Sequence, residues 1–105
     1  MDRSFSHLSH DLNDVDRVIH EPARLMIMAI LNVVESADFL YLQRETKLTK
    51  GNLSSHLSRL EASGYVMIEK TFQGKTPLTT CKLTIEGHKA FENYRKRMKD
   101  MFDQI

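Results

Sequence analysis

Apolar positions along the chain change their period near residue 65 and again near residue 84. Before the first of these points the repeat is helical. Leu12, Val15, Val18 and Ile19 share one face and predict a short amphipathic helix over 11–19, after a polar, frayed segment over 1–10. "HEPARLMIMAILNVVE" follows, apolar nearly all round from Pro22 to about residue 34, as a central buried helix is. Pro22 suits its first turn, where the missing N–H is no loss. "SAD" breaks it. Phe39, Leu42 and Thr46 then fall on one side of a helix predicted over 40–47. "LTKGN" is the next turn, with Thr49 as the N-cap of a helix over 50–63. Leu53, Leu57 and Leu60 form its apolar stripe. Gly64 is placed for a left-handed C-terminal cap, with Tyr65 folding back.

Beyond Tyr65 the pattern alternates. "YVMIEKTF" and "LTTCKLT" flank the turn "QGKTP" and predict a β-hairpin. Thr84 caps a final helix over 85–104, in which Phe91, Tyr94, Met98, Met101 and Ile105 recur at steps of three and four, a seam of about two heptads. The expected architecture is α+β, mostly α, in one domain over 1–105. Two short helices joined by a tight turn and running into a hairpin make a winged helix–turn–helix with a two-stranded wing and extra N- and C-terminal helices. That arrangement is a reader of duplex DNA.

The 50–63 helix carries residues that suit this task better than they suit a helix. Serine and glycine are poor helix formers, yet "GNLSSHLSRL" has three serines and a glycine. On a wheel centred on Leu53, the face pointing away is Gly51, Ser55, Ser58, Arg59 and Ala62, flanked by Asn52 and Ser54. His56 lies nearer the buried edge. A major groove about 12 Å wide admits a helix with little clearance, so small hydrogen-bonding side chains let the backbone approach. Arg59 can present a forked donor set to a guanine edge or a phosphate. Lys50 joins the positive end of the helix dipole.

Charge follows the same division. The net charge of +1 is weak evidence, but it is segregated. Residues 1–43 carry net −4, residues 44–75 net +3 and residues 76–105 net +2. The basic middle includes Arg44, Lys50, Arg59 and Lys75.

"HEPARLMIMAIL" and "DFLYLQRETKLTKGNLSSHLSRLEASGYVMIEKTFQGKTPLTTCKLTIEGHKAF" resemble the small single-domain winged-helix transcriptional regulators related to the MarR and ArsR families. The resemblance covers about residues 20–94 and lies in a combination of motifs: "L-T-x-G-N-L-S-S-H-L-x-x-L-E-x-x-G-Y-V", "K-T-F-x-G-K-x-P-x-T" and "L-T-x-x-G". It implies a homodimer. It implies that Lys50, Asn52, Ser54, Ser55, His56, Ser58 and Arg59 face or flank DNA, and that the loop from Gly74 to Thr76 is the wing. His88 stands where such proteins often carry Arg, and Leu40 where a polar helix-capping residue is common.

The expected DNA contacts are Arg44, Thr49, Lys50, Asn52, Ser54, Ser55, His56, Ser58, Arg59, Lys75 and Thr76. A final helix of about 30 Å is longer than so small a body can cover. Its stripe is therefore read as a dimer interface of Phe91, Tyr94, Met98, Met101 and Phe102, joined by Leu12, Val15 and Ile19. A two-fold dimer would set two recognition helices about 34 Å apart.

Other chemistry finds little support. No cofactor, metal cluster or catalytic constellation is evident, so the chain is not read as an enzyme. His7 and His10 lack further ligands, and His20, His56 and His88 form no cluster by spacing. The single Cys81, on a strand, reads as a packing residue in a reducing compartment rather than a redox switch. The longest apolar run, "LMIMAIL", has seven residues and cannot span a bilayer, which takes about 20. The expected location is cytoplasmic. The alternative function is a protein-interaction module that kept the fold without the DNA. A small-molecule effector, in a pocket lined by Met26, Tyr94, Met98 or Phe102, is compatible with the sequence but not indicated by it, since methionines equally suit an ordinary core.

Overall fold

Glu21 starts the central helix of the molecule. In the computed structural model, which describes residues 4–105, its carboxylate accepts from the N–H groups of Ala23 (3.0 Å) and Arg24 (2.9 Å). Helix α2 (Pro22–Val33) follows, preceded by α1 (Ser6–Asn13). Then come strand β1 (Ala37–Asp38), α3 (Phe39–Thr46), α4 (Lys50–Ala62), β2 (Val66–Gln73), β3 (Thr76–Leu83) and α5 (Ile85–Asp103). Ile27, Met28 and Leu31 of α2 share one core with Leu42 of α3, Leu53, Leu57 and Leu60 of α4, and Val66, Cys81 and Leu83 of the sheet. Burying each large aliphatic side chain contributes about 1.5–3 kcal/mol, so this cluster fixes how the helices sit.

The sheet is antiparallel in the order β1-β3-β2. Two of its strands are the expected hairpin. The third is a correction, because "SAD" is not merely a break. Ala37 pairs with Cys81 and Asp38 with Thr80 on the free edge of β3. A two-residue strand has no period to detect. The start of α3 is corrected with it: Asp38, not position 40, supplies the cap, its carboxylate accepting from Tyr41 N–H at 2.8 Å.

The N-terminal region also departs from expectation. The first helix lies at Ser6–Asn13 rather than 11–19, which also replaces the frayed segment from Ser6 onward; residues 1–3 lie outside the described residues. Residues 14–21 form turns gathered around Asp16. Its carboxylate accepts from the N–H groups of Val18 (2.9 Å) and Ile19 (3.3 Å) and from the Tyr65 hydroxyl (2.5 Å). That anion at the hydroxyl, then burial, pushes Tyr65 up to about 12. The turns drive Val15 and Ile19 into the core of the chain itself. Neither is therefore free to serve as a dimer contact.

The seam of α5 is corrected in the same way. Phe91 and Tyr94 belong to the core, Met98 packs against it, and Met101 is buried as well. Helical spacing identifies a buried face without naming what buries it. What remains free lies at the far end, where Phe102 and Ile105 are 60% and 67% exposed, together with Leu12 and Phe5 on α1. An ion pair of 3.8 Å between Asp11 and Arg97 sets α1 beside this half of α5. The molecule is elongated, with a long axis of 68 Å and a radius of gyration of 16.4 Å, against about 13 Å for a compact chain of this size.

The ends of α4 and α5 meet in a tight junction. Gly64, at φ +80°, closes α4 in a Schellman cap: its N–H donates to Glu61 O (2.9 Å) and that of Tyr65 to Leu60 O (3.0 Å). The Thr84 hydroxyl donates to Gly64 O (2.5 Å) and accepts from Gly87 N–H (2.9 Å), and Thr84 N–H donates to Tyr65 O (3.0 Å). Gly87 is required here, because a Cβ would overlap the carbonyl of Tyr65. The variant Gly87→Ala is expected to lower stability by about 1–3 kcal/mol through this overlap, despite the better helix propensity of alanine. Urea denaturation reads this directly, and an unchanged or raised midpoint would show that the junction tolerates the methyl group.

Candidate nucleic-acid interface

Helix α4 is positioned by the turn before it. Thr46 is buried, its hydroxyl donating to Leu42 O at 2.7 Å. Lys47 then adopts a left-handed conformation at φ 60°, ψ 20°, which is uncommon for a residue with a side chain and turns the chain sharply. Leu48 and Thr49 complete the link. The Thr49 hydroxyl accepts from Asn52 N–H at 3.1 Å, as expected of the N-cap. The N–H groups of Lys50 and Gly51 are left pointing out of the helix, at the positive end of its dipole.

With Leu53, Leu57 and Leu60 buried, Lys50, Gly51, Asn52, Ser54, Ser55, Ser58 and Arg59 all stand exposed. Apart from Lys50, these are positions that the wheel assigns to the outward face and its flanks, and Ala62, the remaining one, is exposed as well. Nothing lies within 4 Å of a Cβ placed at Gly51, so the first turn of α4 presents bare backbone to its surroundings.

His56 is half-buried and turned toward α2. Its Nδ1 lies 3.2 Å from an Arg24 Nη and 3.5 Å from a Glu21 carboxylate oxygen. These two contacts want opposite states of the ring. Arg24 donates to a bare Nδ1, whereas a protonated Nδ1 donates to Glu21. Arg24 also donates to Val18 O at 2.6 Å and lies 3.8 Å from Glu21. Burial pushes the Glu21 carboxyl up, but the Ala23 and Arg24 N–H groups and the charges of His56 and Arg24 outweigh it and hold the group below the usual carboxylate value. His56 thus ties α4 to α2 from the side, and its ring is a strut rather than a member of the outward face.

The wing is a hairpin with a two-residue turn. Gln73 pairs with Thr76, so Gly74 and Lys75 form the turn, with Gly74 at φ +66°. Lys75 stands exposed at the tip and Thr76 begins β3. Between wing and helix runs an open groove. Lys50, Ser54 and Ser58 of α4 line one side, and Lys70, Pro77 and Thr79 of the hairpin line the other.

Several groove residues were not anticipated from the sequence. Leu40 and Gln43 line it from α3, three residues apart on the face opposite Leu42. That spacing was the available signal. Asp38 and Glu61 also line it, so the groove is not uniformly cationic. Arg44 lies outside its lining, its guanidinium 5.4 Å from the centroid of the Tyr41 ring. Cys81 is buried, and burial, then the charges of Glu61 and Asp38, push its thiol up to about 11; it is an unreactive packing residue at neutral pH. Tyr94 and Met98, two of the residues suggested for an effector pocket, pack in or against the core. Among the described residues, no helix is long and apolar enough to cross a membrane.

Comparison with known proteins converges on this geometry. A family described as a winged helix DNA-binding domain matches residues 23–102. An uncharacterized protein of Methanocaldococcus jannaschii is 36% identical over 78 residues, 74% of this chain and 85% of that protein. The structure of a transcriptional regulator homologue from Pyrococcus horikoshii OT3 superposes with a TM-score of 0.85 at 28% identity, covering 95% of this chain and 97% of that one. A MarR-family regulator from Enterococcus faecalis V583 shares the fold, with a TM-score of 0.70 at 19% identity over 99% of this chain and 92% of that one. With the match over residues 23–102, the serine-rich helix on its leucine stripe and the hairpin opposed to it place the chain in the winged-helix DNA-binding domain family, with the fold of MarR-like transcriptional regulators.

Proposed function

We propose that the protein is a sequence-specific, cytoplasmic DNA-binding regulator that acts as a homodimer and, most simply, as a repressor by occupying the duplex. The observation that carries this reading is the groove in which Lys50, Ser54 and Ser58 of α4 face Lys70, Pro77 and Thr79 of the hairpin, so that one flank of α4 and the wing border the same path. In it, α4 enters the major groove. Lys50, with its free helix-terminal N–H groups, Lys75 at the wing tip and Arg44 hold phosphates. Asn52, Ser54, Ser55, Ser58 and Arg59 meet base edges, while Thr49 and Thr76 flank the contact. His56 fixes the pose of α4 through Arg24 and Glu21.

The elongated shape and the exposed Phe5, Leu12, Phe102 and Ile105 support a dimer formed by α1 and the far half of α5. This interface keeps Leu12 and Phe102 of the one expected from the sequence and Ile105 of the seam, and drops Val15, Ile19, Phe91 and Tyr94, which pack in the core of the chain itself. One observation favours a second reading, a protein-interaction module: Asp38 and Glu61 in the groove oppose phosphate approach along part of its length. The two readings differ in salt dependence.

Fluorescence anisotropy on labelled duplex DNA over a range of salt concentrations separates them. Lys75→Ala is expected to lower the slope of log affinity against log salt by about one unit, the loss of one neutralised phosphate. An unchanged slope would remove the wing tip from the contact, and no salt-dependent binding by the unaltered protein would favour the interaction module. Gly51→Ala divides folding from binding. It is expected to stabilise the isolated protein by about 0.5–1 kcal/mol, since the helix gains propensity and the methyl group meets nothing. The same methyl group should weaken duplex binding. Unimpaired binding would show that the DNA does not approach the first turn of α4.

A further inference from the structure

Phe72 is the most exposed large apolar side chain of the wing, 72% exposed against 44% for Met67, two residues before Gly74. Strand residues two apart share a face, and directly paired residues share it across the ladder. Phe72 therefore lies on the same face as Lys70 and Ile68, and beside its partner Pro77. Ile68 packs against the core, while Lys70 and Pro77 line the groove opposite α4. The ring thus continues the groove outward, about 13 Å along the strand from Ile68. Lys70 stands behind it on its own face, and Lys75 stands ahead of it at the tip.

An exposed aromatic ring between two cations is poorly placed for an apolar protein partner and well placed for a duplex. With α4 in a major groove about 12 Å wide, the wing rides over the adjoining strand toward a minor groove about 6 Å wide. Lysines before and after the ring match phosphates on the two walls of that groove. The Phe72–Pro77 pair then faces the deoxyribose and base edges between them. Apolar wedges of this kind contact or partly unstack base steps in the minor groove and favour sequences that deform easily.

We propose that Phe72, backed by Pro77, is a minor-groove wedge that makes the wing sensitive to the deformability of the flanking DNA. This rests on the duplex-binding reading above and deepens it: the wing reads shape through an apolar contact, while Lys75 supplies charge.

The test uses the full chain and a duplex enriched by it from a random pool, with 2-aminopurine at the base steps flanking the α4 site. Phe72→Ala is expected to weaken binding about tenfold or more, leave the salt slope unchanged and abolish the rise in 2-aminopurine fluorescence. Phe72→Leu should keep most of the affinity and the fluorescence rise. Elution of Phe72→Ala from heparin, which has no minor groove, should match that of the unaltered protein. Unchanged affinity of Phe72→Ala for the duplex, or an equal loss on heparin, would overturn the wedge. So would a change of oligomeric state in Phe72→Ala by light scattering, which would mean that the ring covers a second copy. If the unaltered protein bound no duplex, the functional reading itself would fail, and this outcome is distinct from duplex binding that is indifferent to Phe72.

Discussion

Burial of Leu53, Leu57 and Leu60 against α2 and the sheet governs what every other side chain of α4 can do. A helix that buries one stripe has no rotational freedom left. Each residue between the leucines is therefore assigned a direction. The three serines, Asn52 and Gly51 can give up helix propensity because burial of the leucines holds the helix. The face they form is low, polar and close to the backbone, which suits entry into a groove and little else.

The remaining structure constrains α4 at both ends and on one flank. Thr49 caps its start after the left-handed Lys47, and Gly64 closes its end. The carbonyls of Gly64 and Tyr65 are then taken up by Thr84, so the end of α4 is joined to the start of α5. On the flank, His56 meets Arg24 and Glu21 at the start of α2, and Arg24 reaches on to the turns that follow α1. Tyr65 meets Asp16 in the same turns. Movement of α1 or α5 would be felt at α4 through these polar contacts. That is the physical route by which a dimer built on the terminal helices would set the spacing of two recognition helices.

The sequence was most readable where one face is buried over several turns. Helices α2, α3, α4 and α5, the hairpin, the caps at Thr49, Gly64 and Thr84, and the outward face of α4 all follow from local spacing and cap chemistry. The errors share one cause, which is contact with something distant. Val15 and Ile19 have helical spacing, but Asp16 folds their segment into turns by binding Tyr65, 49 residues away. Phe91 and Tyr94 have the spacing of a seam, yet their partners lie in the same chain. Strand β1 exists only because β3 offers an edge. Within the groove, Lys50, Ser54 and Ser58 were legible, whereas Leu40, Gln43, Asp38 and Glu61 join it only through the packing of α3 and α4 against the hairpin.

If the proposed function holds, two copies of α4, held at fixed separation, read duplex DNA. Selection of bound duplexes from a random pool is the sharpest test, with the mass of the bound species measured by light scattering. The expected result is enrichment of a pseudo-palindrome whose half-sites lie one helical turn apart, about 34 Å, bound by a dimer. Enrichment of no sequence, or of a single half-site bound by a monomer, would contradict it.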